Sequence, residues 1–135
     1  MRLTYIANVR LPTEKAHGVQ IMEMCAAFAA QNLSVKLVVP KRHNTITEDP
    51  FTYHDIKPTF IIRTLPAFDF VRHGQLGFLV SLTSFIASTL WDTLFTEGVF
   101  YTRDEVIALA LQEKKNAAIL KSYRPREISL HTITV

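Results

Sequence analysis

Between Asn8 and Gly18 the chain gathers the residue types best suited to binding chemistry: Arg10, Lys15 and His17, with Ala16 between the last two and Gly18 closing the segment. The preceding stretch, residues 3–9, is apolar and rich in β-formers. From Val19 onward Ile21, Met22, Cys25, Phe28 and Ala29 fall at helical spacing. The segment is therefore a loop that leaves a strand and enters the N-terminus of a helix. There, free backbone N–H groups and the helix dipole favour an anion. A glycine at the helix entry lets a phosphate or sugar approach the backbone closely, and Arg10 and Lys15 add positive charge. The spacing is neither GxGxxG nor GxxxxGKS/T, which disfavours a dinucleotide cofactor and a P-loop nucleotide triphosphatase. The plain alternative is an ordinary loop with a glycine where the helix begins.

Other reactive residue types form no pattern. His17, His43, His54, His73 and His131 make no pair at metal-ligand spacing, and Cys25 has no second cysteine to join it. No metal and no cofactor are expected. Cys25 lies on the apolar face of its predicted helix, which disfavours a Cys–His nucleophile pair and makes it a small core residue.

The elements that must position the loop follow from periodicity. Residues 3–9 and 34–40 read as buried strands, with a helix over 18–31 between them. Residues 41–58 read as a long polar connection broken by Pro50 and Pro58, and 60–65 as a third strand stopped by Pro66. A helical period over 74–91 precedes a short strand at 98–101 and a helix over 104–115, with Asp104 as its N-cap. Residues 117–120 read as a fifth strand, and 128–135 as a strand or a loose tail. Strands alternating with helices predict an α/β fold, a doubly wound parallel sheet with helices on both faces. Such a sheet binds ligands at the carboxyl ends of its strands, where the 8–18 loop lies.

Composition sets the outer bounds. The chain has 135 residues, 48% apolar and 20% charged, as in a single globular domain. A formal charge of +3 from 15 basic and 12 acidic residues is mild, and the densest basic cluster is only Lys41-Arg42-His43. Neither a basic stripe nor an aromatic-basic platform is present, so nucleic acid is not an expected partner. One cysteine excludes an internal disulfide and suits a reducing compartment. The start lacks the apolar run of a signal peptide, so a cytoplasmic location is expected.

The run YIANVRLPTEKAHGVQIMEMCAAFAAQ at residues 5–31 resembles the opening of the family 4 glycosyltransferases. SVKLVVPKR, EDPF at residues 48–51 and YTRD at residues 101–104 are similar to later blocks of the same domain, and the likeness extends over about residues 3–123. It implies a Rossmann-like domain, the N-terminal half of a GT-B enzyme, with residues 1–123 as the acceptor-side domain and 124–135 as a tail. Such enzymes move a sugar from a nucleotide-sugar donor to a glycan or lipid-linked acceptor hydroxyl, normally without a metal. Their C-terminal domain binds the nucleotide-sugar with a pair of glutamates. That domain is absent from this chain, so the chain is expected to be inactive alone. By matching motif, Ala16, His17 and Gly18 form the donor-facing loop, while Arg103 and Asp104 lie at the mouth of the cleft. The family's fifth strand ends in Glu-Leu-His, whose histidine is a proposed catalytic group. Here Lys121-Ser122-Tyr123 occupies that place, so Tyr123 stands for the histidine; a shifted alignment would use Ser129-Leu130-His131. The competing expectation is a non-catalytic binding module, or a degenerate remnant, that pairs with a separate donor-binding subunit.

Residues 74–91 carry no charge. The run is short for a membrane span and holds Ser81, Thr83, Ser84, Ser88 and Thr89. A buried or half-buried helix is one reading. The other is a helix lying on a membrane surface, with Arg72 and His73 beside it, which would place the protein at the inner face of the membrane.

Overall fold

Alternation along the first two strands decides how the layers stack. The computed structural model describes residues 1–121 and 133–134. In β1 (Arg2–Ile6) and β2 (Ser34–Pro40), Leu3 and Tyr5 with Val35, Leu37 and Val39 point to one face of the sheet, while Ile6 and Val38 point to the other. Both faces are apolar, so both must be covered. Helix α1 (Ala16–Ala30) covers the first through Ile21, Met22 and Cys25. Helices α3 (Gly74–Leu94) and α4 (Glu105–Lys121) cover the second through Phe85, Ile107 and Leu111.

Five strands form the sheet in the order β3-β2-β1-β4-β5, with β3 at Ile61–Leu65, β4 at Val99–Thr102 and only two residues in β5. All pairings are parallel, and the two residues of β5 (Ile133–Thr134) pair in parallel with β4. The chain is thus an α/β protein with helices on both faces of a parallel sheet. Tyr5 and Tyr101 meet edge to face at 4.8 Å across the β1–β4 pair. Burial pushes the Cys25 thiol up to about 12, which keeps it neutral and inert as a core residue.

Three local expectations are corrected. Helix α1 starts at Ala16 rather than at residue 18. The connection over 41–58 contains a one-turn helix, α2 (Pro50–Tyr53), because Asp49 caps it by accepting from the N–H groups of Phe51 and Thr52 and Pro50 is suited to the first helical position. The strand expected at 117–120 is instead the last part of α4. A short apolar run rich in alanine and leucine fits either state, and a helix already capped by Asp104 propagates through it.

Helix α3 returns the chain from β3, at one edge, to β4 beyond β1. Its C-terminal turn is fixed by Asp92, a buried carboxylate 2.9 Å from Lys36 Nζ on β2 and 3.0 Å from Arg63 Nη2 on β3. Lys36 also donates to Thr96 Oγ1 at 3.3 Å. Removing one member of a buried ion pair strands its partner's charge. Asp92→Ala should lower the unfolding free energy by about 3 kcal/mol, the low end of that range because Arg63 is half exposed. Urea denaturation checks this, and an unchanged midpoint would contradict the anchoring role.

Candidate functional site at the carboxyl edge of the sheet

The strand order creates a switch point. From β1 the chain winds outward through β2 to β3, then returns to β4 on the other side of β1. Connections after β1 and β4 therefore diverge to opposite faces and leave a crevice at their carboxyl ends, the usual place for a ligand in an open parallel sheet. The loop after β1 and Arg103-Asp104 after β4 border it.

The loop after β1 is tightly built. Thr13 is buried, and its Oγ1 accepts from the Lys15 N–H at 3.3 Å. Asn44 donates from Nδ2 to the Pro12 carbonyl at 2.7 Å, tying the loop to the segment after β2. Gly18 is buried, and a Cβ there would lie 2.0 Å from Thr13 Cγ2. Its N–H donates to the Lys15 carbonyl at 3.0 Å. Glycine is therefore required so that the loop can fold back against the helix. The expected reason, close approach of a ligand to Gly18, is not what its environment shows.

The N-terminus of α1 keeps its donors. Lys15 is the N-cap residue with no side-chain capping bond, and the first turn holds no acid. Ala16 and His17 are exposed at the first two helical positions. Orphan N–H groups with no competing carboxylate leave the dipole's positive end open to an anion. Lys15 is exposed and makes no ion pair among the described residues. Arg10 is held by Glu14 at 3.1 Å, one helical turn's spacing along the loop, so its charge is largely answered.

Arg103 and Asp104 separate in role. Arg103 donates from Nη1 to Gln20 Oε1 on α1 at 2.8 Å, linking the β4 loop to the helix that opens the crevice. Asp104 is the N-cap of α4: its Oδ1 accepts from Val106 N–H at 3.0 Å and Ile107 N–H at 3.3 Å. That bond set is structural. Lys121 is the last residue of α4, so no strand presents it at the sheet's edge. Tyr123, Ser122, Ser129, Leu130 and His131 lie outside the described residues.

Arg42 belongs to this edge and was not singled out from sequence beyond its place in the small basic cluster. It lies two residues past the end of β2 and donates from Nη2 to Asn8 Oδ1, after β1, at 2.6 Å. Its Nε is buried without a partner. Burial lowers its pKa, against the attraction of Asp69. A half-buried guanidinium with a spare donor suits an anionic group. The available signal was positional, since a cation immediately after a parallel strand reaches the ligand edge. Among the described residues no group of three His, Cys, Asp or Glu side chains is placed to hold a metal ion. No family model, curated protein or solved structure matches the chain.

The contact between Gly18 and Thr13 is testable as a pair. Gly18→Ala should cost about 1–3 kcal/mol by overpacking against the Thr13 methyl. Thr13→Ser removes that methyl and keeps the hydroxyl that accepts from Lys15. In a double-mutant cycle by chemical denaturation, the two changes together should recover most of the loss. Strict additivity would show that the helix entry tolerates a side chain independently of Thr13.

Proposed function

We propose that this chain is the acceptor-side domain of a GT-B glycosyltransferase with a Rossmann-like fold, and that it holds the donor diphosphate at the N-terminus of α1. The observation that carries the reading is the uncapped, acid-free first turn at Ala16 and His17, opening on the switch point of a parallel sheet. The resemblance of residues 5–31 to family 4 glycosyltransferases supports the same assignment.

In sugar transfer, an acceptor hydroxyl attacks the anomeric carbon as the bond to the diphosphate oxygen breaks. Negative charge grows on the leaving group. The N–H groups of Ala16 and His17, with Lys15 and Arg42, are the local groups able to stabilise it. Arg103, tethered to Gln20, borders the space in which the acceptor would be positioned. A donor-binding domain would supply the remaining wall and the glutamate pair. The second reading, a non-catalytic binding module, is favoured by one observation: α4 continues through Lys121 where the family's fifth strand would present its catalytic end.

Thermal-shift titration separates phosphate recognition from nucleoside recognition. Nucleoside diphosphates and nucleoside-diphosphate sugars should raise the melting temperature, while the bare nucleoside should not. Lys15→Glu should remove the shift without lowering the melting temperature of the free chain. No shift with any of these ligands, or a shift that survives Lys15→Glu, would contradict the proposal.

A further inference from the structure

Three strand exits meet on the β3 side of the carboxyl edge. Asn8 follows β1, Arg42 follows β2 and Asp69 follows β3. Arg42 donates from Nη2 to Asn8 Oδ1 at 2.6 Å, and Asp69 Oδ2 accepts from the His43 N–H at 2.8 Å. Burial lowers the Arg42 pKa and the charge of Asp69 works against it, yet the two side chains form no ion pair. Between two fully solvated groups that separation would mean little, because such pairs contribute little. Arg42 is half-buried and its Nε is buried without a partner, so part of its hydration is already lost. A cation in that state gains from an anion, and the carboxylate that could supply it is tied to the His43 backbone.

Both groups stand on rigid supports. The Lys41 N–H donates to the Leu65 carbonyl at 2.8 Å, which joins the exits of β2 and β3. Asn44 binds the Pro12 carbonyl and sets the segment after Arg42 against the loop after β1. Asp69 is bracketed by two backbone bonds to α3, from Phe68 N–H to Ser84 Oγ at 3.0 Å and from Phe70 N–H to Ser81 Oγ at 2.9 Å. A Cβ on Gly77 would collide with the Phe70 carbonyl, so glycine permits that close seating. Among the described residues, Arg42 Nη1 and Asp69 Oδ1 have no hydrogen-bond partner, and neither atom is buried. One open donor and one open acceptor are thus held in advance of any ligand.

We propose that Arg42 and Asp69 form a subsite for a sugar phosphate, with the phosphate on the guanidinium and a ring hydroxyl donating to Asp69 Oδ1. The choice of a sugar rests on the glycosyltransferase reading, and the subsite adds to it the carboxylate that tells a glycosylated phosphate from a bare one. The anion follows from Arg42, whose planar guanidinium matches phosphate oxygens. The neutral donor follows from Asp69. An ammonium bound there would lie in the field of the guanidinium and be repelled, whereas a hydroxyl brings a hydrogen bond without a second positive charge. A bare phosphate meets Asp69 as a like charge with no compensating bond, so the pair selects against a free anion.

The test is an amide-detected titration of the full chain with inorganic phosphate and with glucose 1-phosphate, read at His43, whose N–H touches Asp69. Glucose 1-phosphate should bind about tenfold more tightly, the worth of one hydrogen bond to a charged group. Asp69→Ala should erase that preference without weakening inorganic phosphate. Asp69→Asn keeps an oxygen for the His43 N–H and turns a donor toward the sugar, so it should erase the preference too, with the loop in place. Arg42→Gln should weaken both ligands by about tenfold or more. Equal affinities in the unaltered chain, a preference that survives both Asp69 changes, or binding of neither probe would overturn the subsite. The glycosyltransferase reading fails separately, on the nucleoside-diphosphate shift and its dependence on Lys15. That shift beside equal affinities for the two probes would remove the subsite alone.

Discussion

Asp92 holds the topology in place. A parallel sheet with order β3-β2-β1-β4 requires one long crossover that passes from the edge strand over the middle of the sheet to the far side of β1. Helix α3 performs it, burying Leu82 and Phe85 and packing the partly buried Ile86 and Leu90 against the core. The buried carboxylate of Asp92 clamps the helix to β2 through Lys36 and to β3 through Arg63. The serines complete the attachment from the other end. Ser81 and Ser84 accept from the backbone of the loop after β3, so the crossover cannot rotate without losing those bonds.

The same crossover makes the crevice at the opposite connection. With β4 placed beside β1, the loop after β1 and the turn into α4 face each other at the carboxyl edge. Their positive character comes from several weak sources. The α1 dipole, Lys15, the half-buried Arg42 and the tethered Arg103 each contribute, while Glu14 offsets Arg10. Aligned backbone dipoles do not titrate, so the anion-attracting part at Ala16 and His17 persists across the pH range in which the protein is folded.

Much of the fold was legible in the chain. Leu37, Val38 and Val39 make a continuous apolar run, as in a strand buried on both faces, and residues 34–40 form β2 over that range. Asp104 precedes a helical period and caps α4. The error at 117–120 has a physical origin, since four apolar residues have no period that separates a strand from the end of a helix. The loop proposed to bind ligand was legible as a strand-to-helix connection and less so in detail. A loop ending at a helix N-terminus was visible, but the reason for Gly18 was not. That glycine answers the methyl of Thr13, a contact set by how the loop folds back, which spacing cannot encode. Arg42 was hidden because its importance comes from Asn8, a residue on a neighbouring strand's exit. The uncharged helix was visible as an anomaly, and only the packing revealed that its apolar side faces outward.

On the proposed function, the space between the exits of β1 and β4 is the ligand-binding edge of this sheet. Amide chemical-shift mapping tests it most directly, with a nucleoside-diphosphate sugar titrated into the labelled chain. The largest perturbations are then expected at Ala16 and His17, with smaller ones at Gly18, Arg42 and Arg103. Perturbations centred on the amino ends of the strands, near Arg2 and Ser34, with the α1 amides unmoved, would contradict it.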